Sequence, residues 1–416
     1  MTSIVVRGGR HLEGELPIVG AKNSALKLLA ATLLAPGRHV LHSVPAITDV
    51  GIMCRLLEAM GASTTVDGST VTVDVPEEVN PEAPYELVEQ MRASIVVLGP
   101  LLARFGRARV ALPGGDDFGH RPIDLHLAGL QALGVEFEQT HGYIDARADL
   151  LLGARVVLEY PSVGATENLL MASVLAKGTT TIENAAREPE IADLSTFLKR
   201  MGARIAGVGS STLTVEGVEE LSPTEHTVVP DRIQAATYLS ALAVAGGELT
   251  LVGARHDHMD MVIAKLTAMG MRVSNDSAGL WAAVPRRLRA VDVATLPYPG
   301  VATDYKPFLV TALSFADGVS IVTENVFQSG RWRYVGELAR MGADIRVEGH
   351  HAVVRGVERL SGAPVRAHDI RAGAALVCGA LGAEGETEVA EAHHVDRGYE
   401  DLVAALTAVG ADLERR

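Results

Sequence analysis

One short mark repeats along the chain and limits what it can fold into. An apolar residue, two spacers and a Met, Leu or Val precede a glycine at Met60-Gly61, Leu133-Gly134, Met201-Gly202, Met269-Gly270, Met341-Gly342 and Val409-Gly410. Successive glycines are 73 (134−61), 68 (202−134), 68 (270−202), 72 (342−270) and 68 (410−342) residues apart. A second mark, a Leu/Ala-rich stretch ending in glycine, recurs in the same cycle at Gly37, Gly106, Gly178, Gly247, Gly318 and Gly385. The chain therefore reads as six copies of one unit of about 70 residues.

Each unit has a readable anatomy. Apolar residues at helical spacing precede the first mark, as in Ile191, Leu194, Leu198 and Met201, or Tyr399, Leu402, Leu406 and Val409. The glycine then predicts a helix stop, where a left-handed residue closes the last turn. Alternating residues over 343–347 and, after a turn at Gly349, over 352–355 predict strands. The second glycine is expected to end another helix and feed a strand such as 179–182. The unit thus reads β-α-β-α-β-β, an α/β pattern. Solenoid repeats are the alternative, but they usually span about 20–50 residues. Six units this large split as three plus three with a junction near 228–232, and a cleft between two such halves is a natural ligand site.

Composition narrows the function classes. Hydrophobic residues at 48% and charged residues at 21% suit a globular chain rather than a disordered one. A net charge of −14 argues against nonspecific nucleic-acid binding and makes clustered cations more informative. Residues 1–9 read as a strand rather than a signal peptide. No run reaches the roughly 18 apolar residues of a membrane helix; the longest, 25–35 and 372–383, are broken by Lys, Thr or Gly. Cys54 and Cys378 are far apart in sequence and fit a reducing compartment without disulfides. A cytoplasmic protein with no membrane or nucleic-acid partner is expected; the oligomeric state is not legible.

Several polar segments interrupt the repeat. Gly20-Ala21-Lys22-Asn23-Ser24 lies between a strand and a helix expected from Ala25, and a Lys beside helix-start N–H groups makes either an anion site or an ordinary cap. Residues 113–126, Pro-Gly-Gly-Asp-Asp-Phe-Gly-His-Arg-Pro-Ile-Asp-Leu-His, read as a long loop, a lid or a surface hairpin, with Asp116 and Asp117 at its tip. Asp304 follows a Pro299-Gly300 turn and, taken alone, reads as an N-cap rather than a base. His393-His394 precedes the last helix and suggests metal, but no Cys or His partner lies at helical spacing, so no metal is expected. Arg92, Arg232, Arg331 and Arg371 each read, singly, as structural ion-pair partners.

Taken together, these residues resemble the UDP-N-acetylglucosamine 1-carboxyvinyltransferases, sisters of 5-enolpyruvylshikimate-3-phosphate synthase. The likeness runs end to end through 20–23, Met91-Arg92-Ala93-Ser94, 112–126, 162–168, 185–190, Pro230-Asp231-Arg232-Ile233, Asp369-Ile370-Arg371-Ala372 and 396–399. It implies a two-domain inside-out α/β barrel of six repeats, three per domain. One domain is expected over 22–229, carrying the loop 113–121, and the other over 1–21 plus 230–416. It also implies transfer of the enolpyruvyl group of phosphoenolpyruvate to the 3-hydroxyl of UDP-N-acetylglucosamine, the first committed step of peptidoglycan precursor synthesis, without a cofactor.

By the same resemblance, Lys22, Arg121 and Arg397 match the cations that hold phosphoenolpyruvate, with Arg92, Arg331 and Arg371 in support. Asn23 and Asp304 match the grip on the sugar, Asp304 as the base. Arg121, Pro122, Ile123, Asp124 and Leu125, with Ser162, Val163 and Gly164, match contacts to uridine and diphosphate. Val326 and Asp369 complete the implied substrate contacts. The chain departs from the family at Val301-Ala302, where a Phe-Pro pair is usual, and around Gly330, Trp332 and Arg333. These departures leave another UDP-sugar or uridine nucleotide as an alternative acceptor, and a non-catalytic UDP-sugar-binding regulator as a reading of another class.

Where many members carry a loop cysteine, this chain has Asp116, which is expected to act as the acid that protonates C3. Fosfomycin alkylates that thiol in the family. Incubation of this protein with fosfomycin is therefore expected to leave its intact mass unchanged; a stable adduct would refute the expectation.

Overall fold

The first-mark glycines end helices in one repeated way. In the computed structural model, which describes residues 2–114, 122–327 and 331–416, Gly61, Gly134, Gly202, Gly270, Gly342 and Gly410 all have φ between 96° and 114°. After each of them the next amide reaches back five residues, as in Ala62 N to Leu57 O (3.1 Å), Ala203 N to Leu198 O (3.0 Å) and Ala411 N to Leu406 O (3.1 Å). That is the bond of a left-handed helix stop, which a Cβ would strain.

The second-mark glycines behave differently from expectation. All six have positive φ, yet only Gly106 caps a helix directly, after Leu98–Phe105. The helices before Gly37, Gly178, Gly318 and Gly385 end at Ala31 (with a 3-10 turn to Leu34), Ser173, Phe315 and Leu381, so these glycines turn the chain into the next strand.

Two other elements are corrected. The helix expected from Ala25 starts at Lys22, which puts Lys22 and Asn23 in its first turn. The last helix runs Leu402–Ala408 because Asp401 caps it by accepting from Ala404 N; Tyr399 is left outside, and His393–Asp396 form a separate turn.

The chain divides into two compact units, each with its own core. One holds 20–114 and 122–229 and contains three four-stranded sheets. In each sheet a short outer strand pairs in parallel with its neighbour and the rest is antiparallel. Examples are Arg155–Val157 beside Thr179–Glu183, and Glu225–Thr227 beside Gly37–His42. The other unit holds 2–19, 230–327 and 331–416, with three sheets of the same kind. Its sheets recruit the N-terminal strands: Ser3–Arg7 lies between Glu386–Ala390 and Asp412–Arg415, and Leu12–Pro17 runs parallel to Gly247–Val252.

The helices divide by polarity. Arg333–Arg340 lies half in solvent, and Pro189–Met201 exposes a narrow polar stripe at Thr196, Lys199 and Arg200. Lys22–Ala31, Val163–Ser173, Arg232–Ala245, Lys306–Phe315 and Ile370–Leu381 lack one and are buried almost throughout. In the second unit Arg232–Ala245, Lys306–Phe315 and Ile370–Leu381 pack against one another. Small residues such as Ala235, Ala241, Ala312, Ala374, Ala375 and Gly379 allow that approach. Among the described residues no helix is long and apolar enough to cross a membrane.

Two glycines give a paired stability test. A Cβ on Gly202 (φ 114°) has no neighbour nearer than 3.9 Å, so Gly202→Ala introduces backbone strain alone, about 1–3 kcal/mol destabilising. Gly336 lies mid-helix with nothing within 4 Å of a Cβ, so Gly336→Ala is expected to stabilise by about 1 kcal/mol. Urea unfolding should show opposite midpoint shifts.

Candidate active site

In the unit holding 20–229, the first turn of Lys22–Ala31 is tied down through buried polar contacts. Lys22 Nζ meets Asp49 Oδ2 at 2.8 Å, with the side chains 9% and 2% exposed. Ser24 Oγ donates to Asp193 Oδ2 (2.5 Å), and Asp193 also takes His226 Nε2 (2.8 Å) and Val229 N (3.2 Å). Lys27 Nζ donates to Asn23 O (3.1 Å) and faces Glu167 Oε1 at 3.4 Å. Burial pushes the Glu167 carboxyl up to about 7, against the pull of Lys27. Asn23 itself is half-buried beside Lys22.

In the same unit the predicted nucleotide contacts sit near one another. Arg92 donates to Pro122 O (3.2 Å), and its burial lowers the guanidinium pKa. Pro122 and Asp124 are exposed, Ile123 and Leu125 half-buried, and Asp124 opens a helix to Ala132. Ser162 caps Val163–Ser173 by accepting from Ala165 N, which places Val163 and Gly164 at a helix N-terminus suited to anions.

His126, which the sequence reading gave no role, joins these segments. Gly99 N can only donate, so its 2.8 Å bond to Asn168 Oδ1 fixes that amide; Asn168 Nδ2 then donates to Ile95 O and to His126 Nδ1. His126 Nδ1 is thereby the acceptor and Nε2 carries the proton. A Cβ at Gly164 would stand 3.0 Å from that Nε2, so the ring occupies the space the glycine leaves.

The unit holding 230–416 contains a second cluster. Asp304 lies in the turn Thr303–Tyr305 and caps no helix, which overturns its N-cap reading. Its Oδ1 takes Arg331 Nη1 at 2.6 Å and its Oδ2 lies 3.7 Å from Arg371 Nε. The arginines are 4–5% exposed and the Asp304 side chain 27%, so the carboxylate is the member of the trio open to a ligand. Burial works to raise the Asp304 pKa, but Arg331, Arg371 and Arg232 outweigh it and hold the group well below the usual carboxylate range.

Asp369 caps Ile370–Leu381, accepting from Arg371 N and Ala372 N, and stands 3.6 Å from Arg331 Nη2. Arg371 also donates to Tyr399 Oη (3.3 Å), and Arg232 donates to Tyr305 Oη (3.1 Å). Arg331 adopts φ 49°, a left-handed backbone unusual for a side-chain-bearing residue. Val326 is half-buried, with its amide donating to Glu324 Oε1 (2.8 Å). Arg397 is half-buried just after His393–Asp396.

Asp116 and Arg121 lie outside the described residues. Among those described, no group of three His, Cys, Asp or Glu is arranged to hold a metal. Both thiols are buried, and burial pushes Cys54 up to about 11 and Cys378 up to about 12, so neither is a ready nucleophile.

The fold is that of an enolpyruvyl transferase: the enolpyruvyl transferase NikO from Streptomyces tendae superposes with a TM-score of 0.90 at 27% identity, covering 100% of this chain and 98% of its own. EPSP synthase from Acinetobacter baumannii shares the fold at 17% identity, with a TM-score of 0.77 and full coverage of both chains. The chain belongs to the family described as EPSP synthase (3-phosphoshikimate 1-carboxyvinyltransferase), whose model matches residues 6–406. It is 50% identical over 411 residues (99% of this chain, 98% of the relative) to the UDP-N-acetylglucosamine 1-carboxyvinyltransferase of Mycobacterium bovis. It is 48% identical over 418 residues (100% and 99%) to the protein of that name from Myxococcus xanthus.

The His126 geometry carries a pH prediction. Burial, with Arg92 adding to it, pushes the imidazole down to about 4, so it stays neutral with the proton on Nε2 across pH 5.5–8. Because the folded value lies below the unfolded 6.5, its contribution to stability is present above pH 6.5 and is lost as pH falls through 4. Long-range ¹H–¹⁵N spectra should show a neutral Nε2–H tautomer at pH 6; a protonated ring there would refute the assignment.

Proposed function

We propose that this chain transfers the enolpyruvyl group of phosphoenolpyruvate to the 3-hydroxyl of UDP-N-acetylglucosamine, releasing phosphate in the first committed step of peptidoglycan precursor synthesis. Relatives at 48–50% identity along 99–100% of the chain bear that activity in their names. The observation that carries the reading is the partly exposed Asp304 carboxylate held ionised by two buried arginines. A base must start deprotonated and within reach of its substrate.

In this reading Lys22, Arg121 and Arg397 hold the phosphate and carboxylate of phosphoenolpyruvate, while Arg92, Arg331 and Arg371 add positive field. Asn23 and Asp304 receive the sugar. Pro122 to Leu125 and Ser162 to Gly164, with Arg121, take uridine and diphosphate. The sugar oxygen bonds to C2 as its proton passes to Asp304, and Asp116 protonates C3. Asp116, now a carboxylate, takes a proton from the C3 methyl as the C2–O bond to phosphate breaks, which releases phosphate from the tetrahedral intermediate and leaves the enol ether. Asp304 is a weak base while Arg331 grips it. Proton transfer becomes favourable as C2–O bonding acidifies the hydroxyl. Closure of 113–121 would keep water from the intermediate.

The same reading takes the six four-stranded sheets as copies of one β-α-β-α-β-β unit, three in a domain 22–229 and three in a domain 1–21 plus 230–416, each domain an inside-out barrel. The six repeated helix stops and the two trios of like sheets support it.

Phosphate release from phosphoenolpyruvate is expected with UDP-N-acetylglucosamine and not with shikimate 3-phosphate. Asp116→Asn and Asp304→Asn should each lower kcat by roughly 10²–10⁴-fold. Turnover only with another uridine nucleotide would transfer the assignment to that acceptor. Tight nucleotide binding without phosphate release would replace the enzyme by a regulator.

A further inference from the structure

One buried ion pair has no part in the chemistry above. Lys306 Nζ meets Glu324 Oε2 at 2.8 Å with both side chains fully buried. Merely filling the core does not account for it, since a well-packed apolar pair does that as well or better. What distinguishes it is where its hydrogen bonds go.

Glu324 gathers donors from the two segments that carry the Asp304–Arg331 contact. Oε2 also accepts from Thr303 Oγ1 (2.8 Å), the residue before Asp304. Oε1 accepts from Val326 N (2.8 Å) and Phe327 N (3.3 Å), on the approach to Arg331. It also takes Thr295 Oγ1 (2.7 Å), whose oxygen accepts in turn from Asn325 N (2.9 Å). On the far side of Arg331, the Trp332 ring centroid lies 3.8 Å from the Lys306 ammonium, and Trp332 Nε1 is anchored to Gly349 O (3.2 Å). Residues on both sides of the ionic centre are therefore fixed to one pair. Arg331, in its left-handed backbone, needs such support. Burial pushes the Lys306 ammonium down to about 8, against the pull of Glu324, so the pair stays ionic at neutral pH.

We propose that Lys306 and Glu324 are positioning residues for the acceptor sugar, setting the Asp304 carboxylate and Val326 through Thr303 and the 325–327 backbone. This rests on the reading of Asp304 as the group that meets the acceptor hydroxyl.

Thr303→Val removes the one O–H that links Glu324 to the residue before Asp304, while Thr303→Ser retains it. The valine variant is expected to raise KM for UDP-N-acetylglucosamine about tenfold, as loss of a charge-assisted hydrogen bond implies. KM for phosphoenolpyruvate should stay near wild type and Tm should fall modestly with the lost bond, and the serine variant should restore both Tm and the acceptor KM. Unchanged acceptor KM and kcat in Thr303→Val would overturn the proposal.

Lys306→Met/Glu324→Gln gives an independent check. It removes the buried charges together but leaves one carbonyl oxygen where two carboxylate oxygens served five donors. Fluorescence of Trp332 in a Trp281→Phe background reads acceptor binding without turnover. A double variant that folds but binds UDP-N-acetylglucosamine about tenfold more weakly supports positioning. One with wild-type binding and kinetics reduces the pair to structure alone. Failure of the wild type both to bind and to turn over would instead overturn the functional reading, and the positioning role with it.

Discussion

Taking charge out of water is the costliest act of this fold, several kcal/mol per ion after relaxation. The chain does it where its chemistry is expected: Lys22 with Asp49, Lys27 with Glu167, Lys306 with Glu324, and Arg331 and Arg371 with Asp304 and Asp369. Apolar pairs would stabilise such helices better. Fixed charges instead supply dipoles that need not reorganise when an anionic substrate arrives. The apolar surroundings, dominated by Leu, Val and Ala, let those charges act at close to full strength.

The helix starts serve the same end. Lys22–Ala31, Val163–Ser173, Lys306–Phe315 and Ile370–Leu381 are buried nearly throughout, so each places its first-turn residues with little freedom. Lys22 and Asn23, Ser162 to Gly164, Asp304 and Asp369 to Arg371 all stand at or just before these starts. The glycine stops at the other helices fix chain direction, which lets short loops return the strands to their sheets. Position is thus set jointly by backbone burial and by buried side-chain bonds.

Much of this was legible in the sequence, for a physical reason. A helix stop closed by a left-handed residue favours glycine, so glycine recurs there, and the six first-mark positions all adopt positive φ. Asp304, Arg331 and Arg371 were singled out individually, and the structure brings them together with Asp369. The helix start at Lys22 was missed because Ala21 supplies no side-chain cap to announce it. The second-mark glycines were misread because a turn into a strand and a helix cap demand the same φ. Asp49, His126 and Glu324 were invisible as site residues because their partners, Lys22, Asn168 and Lys306, lie 18 to 42 residues away in sequence. Only the packed fold makes them neighbours.

The two lysine–glutamate pairs also bracket the pH at which the helices keep their charges. Glu167, pushed up to about 7, gives up its charge on the acid side, leaving Lys27 beside a neutral acid. Lys306, pushed down to about 8, loses its charge on the alkaline side, leaving Glu324 beside a neutral amine. The acid limits one pair as pH falls and the base limits the other as pH rises, an opposed pH response. One lies behind Asn23 and the other behind Thr303 and Asp304, so the two segments, which belong to different units, carry that opposed response. Burial, which moves an acid and a base in opposite directions, is sufficient to produce it.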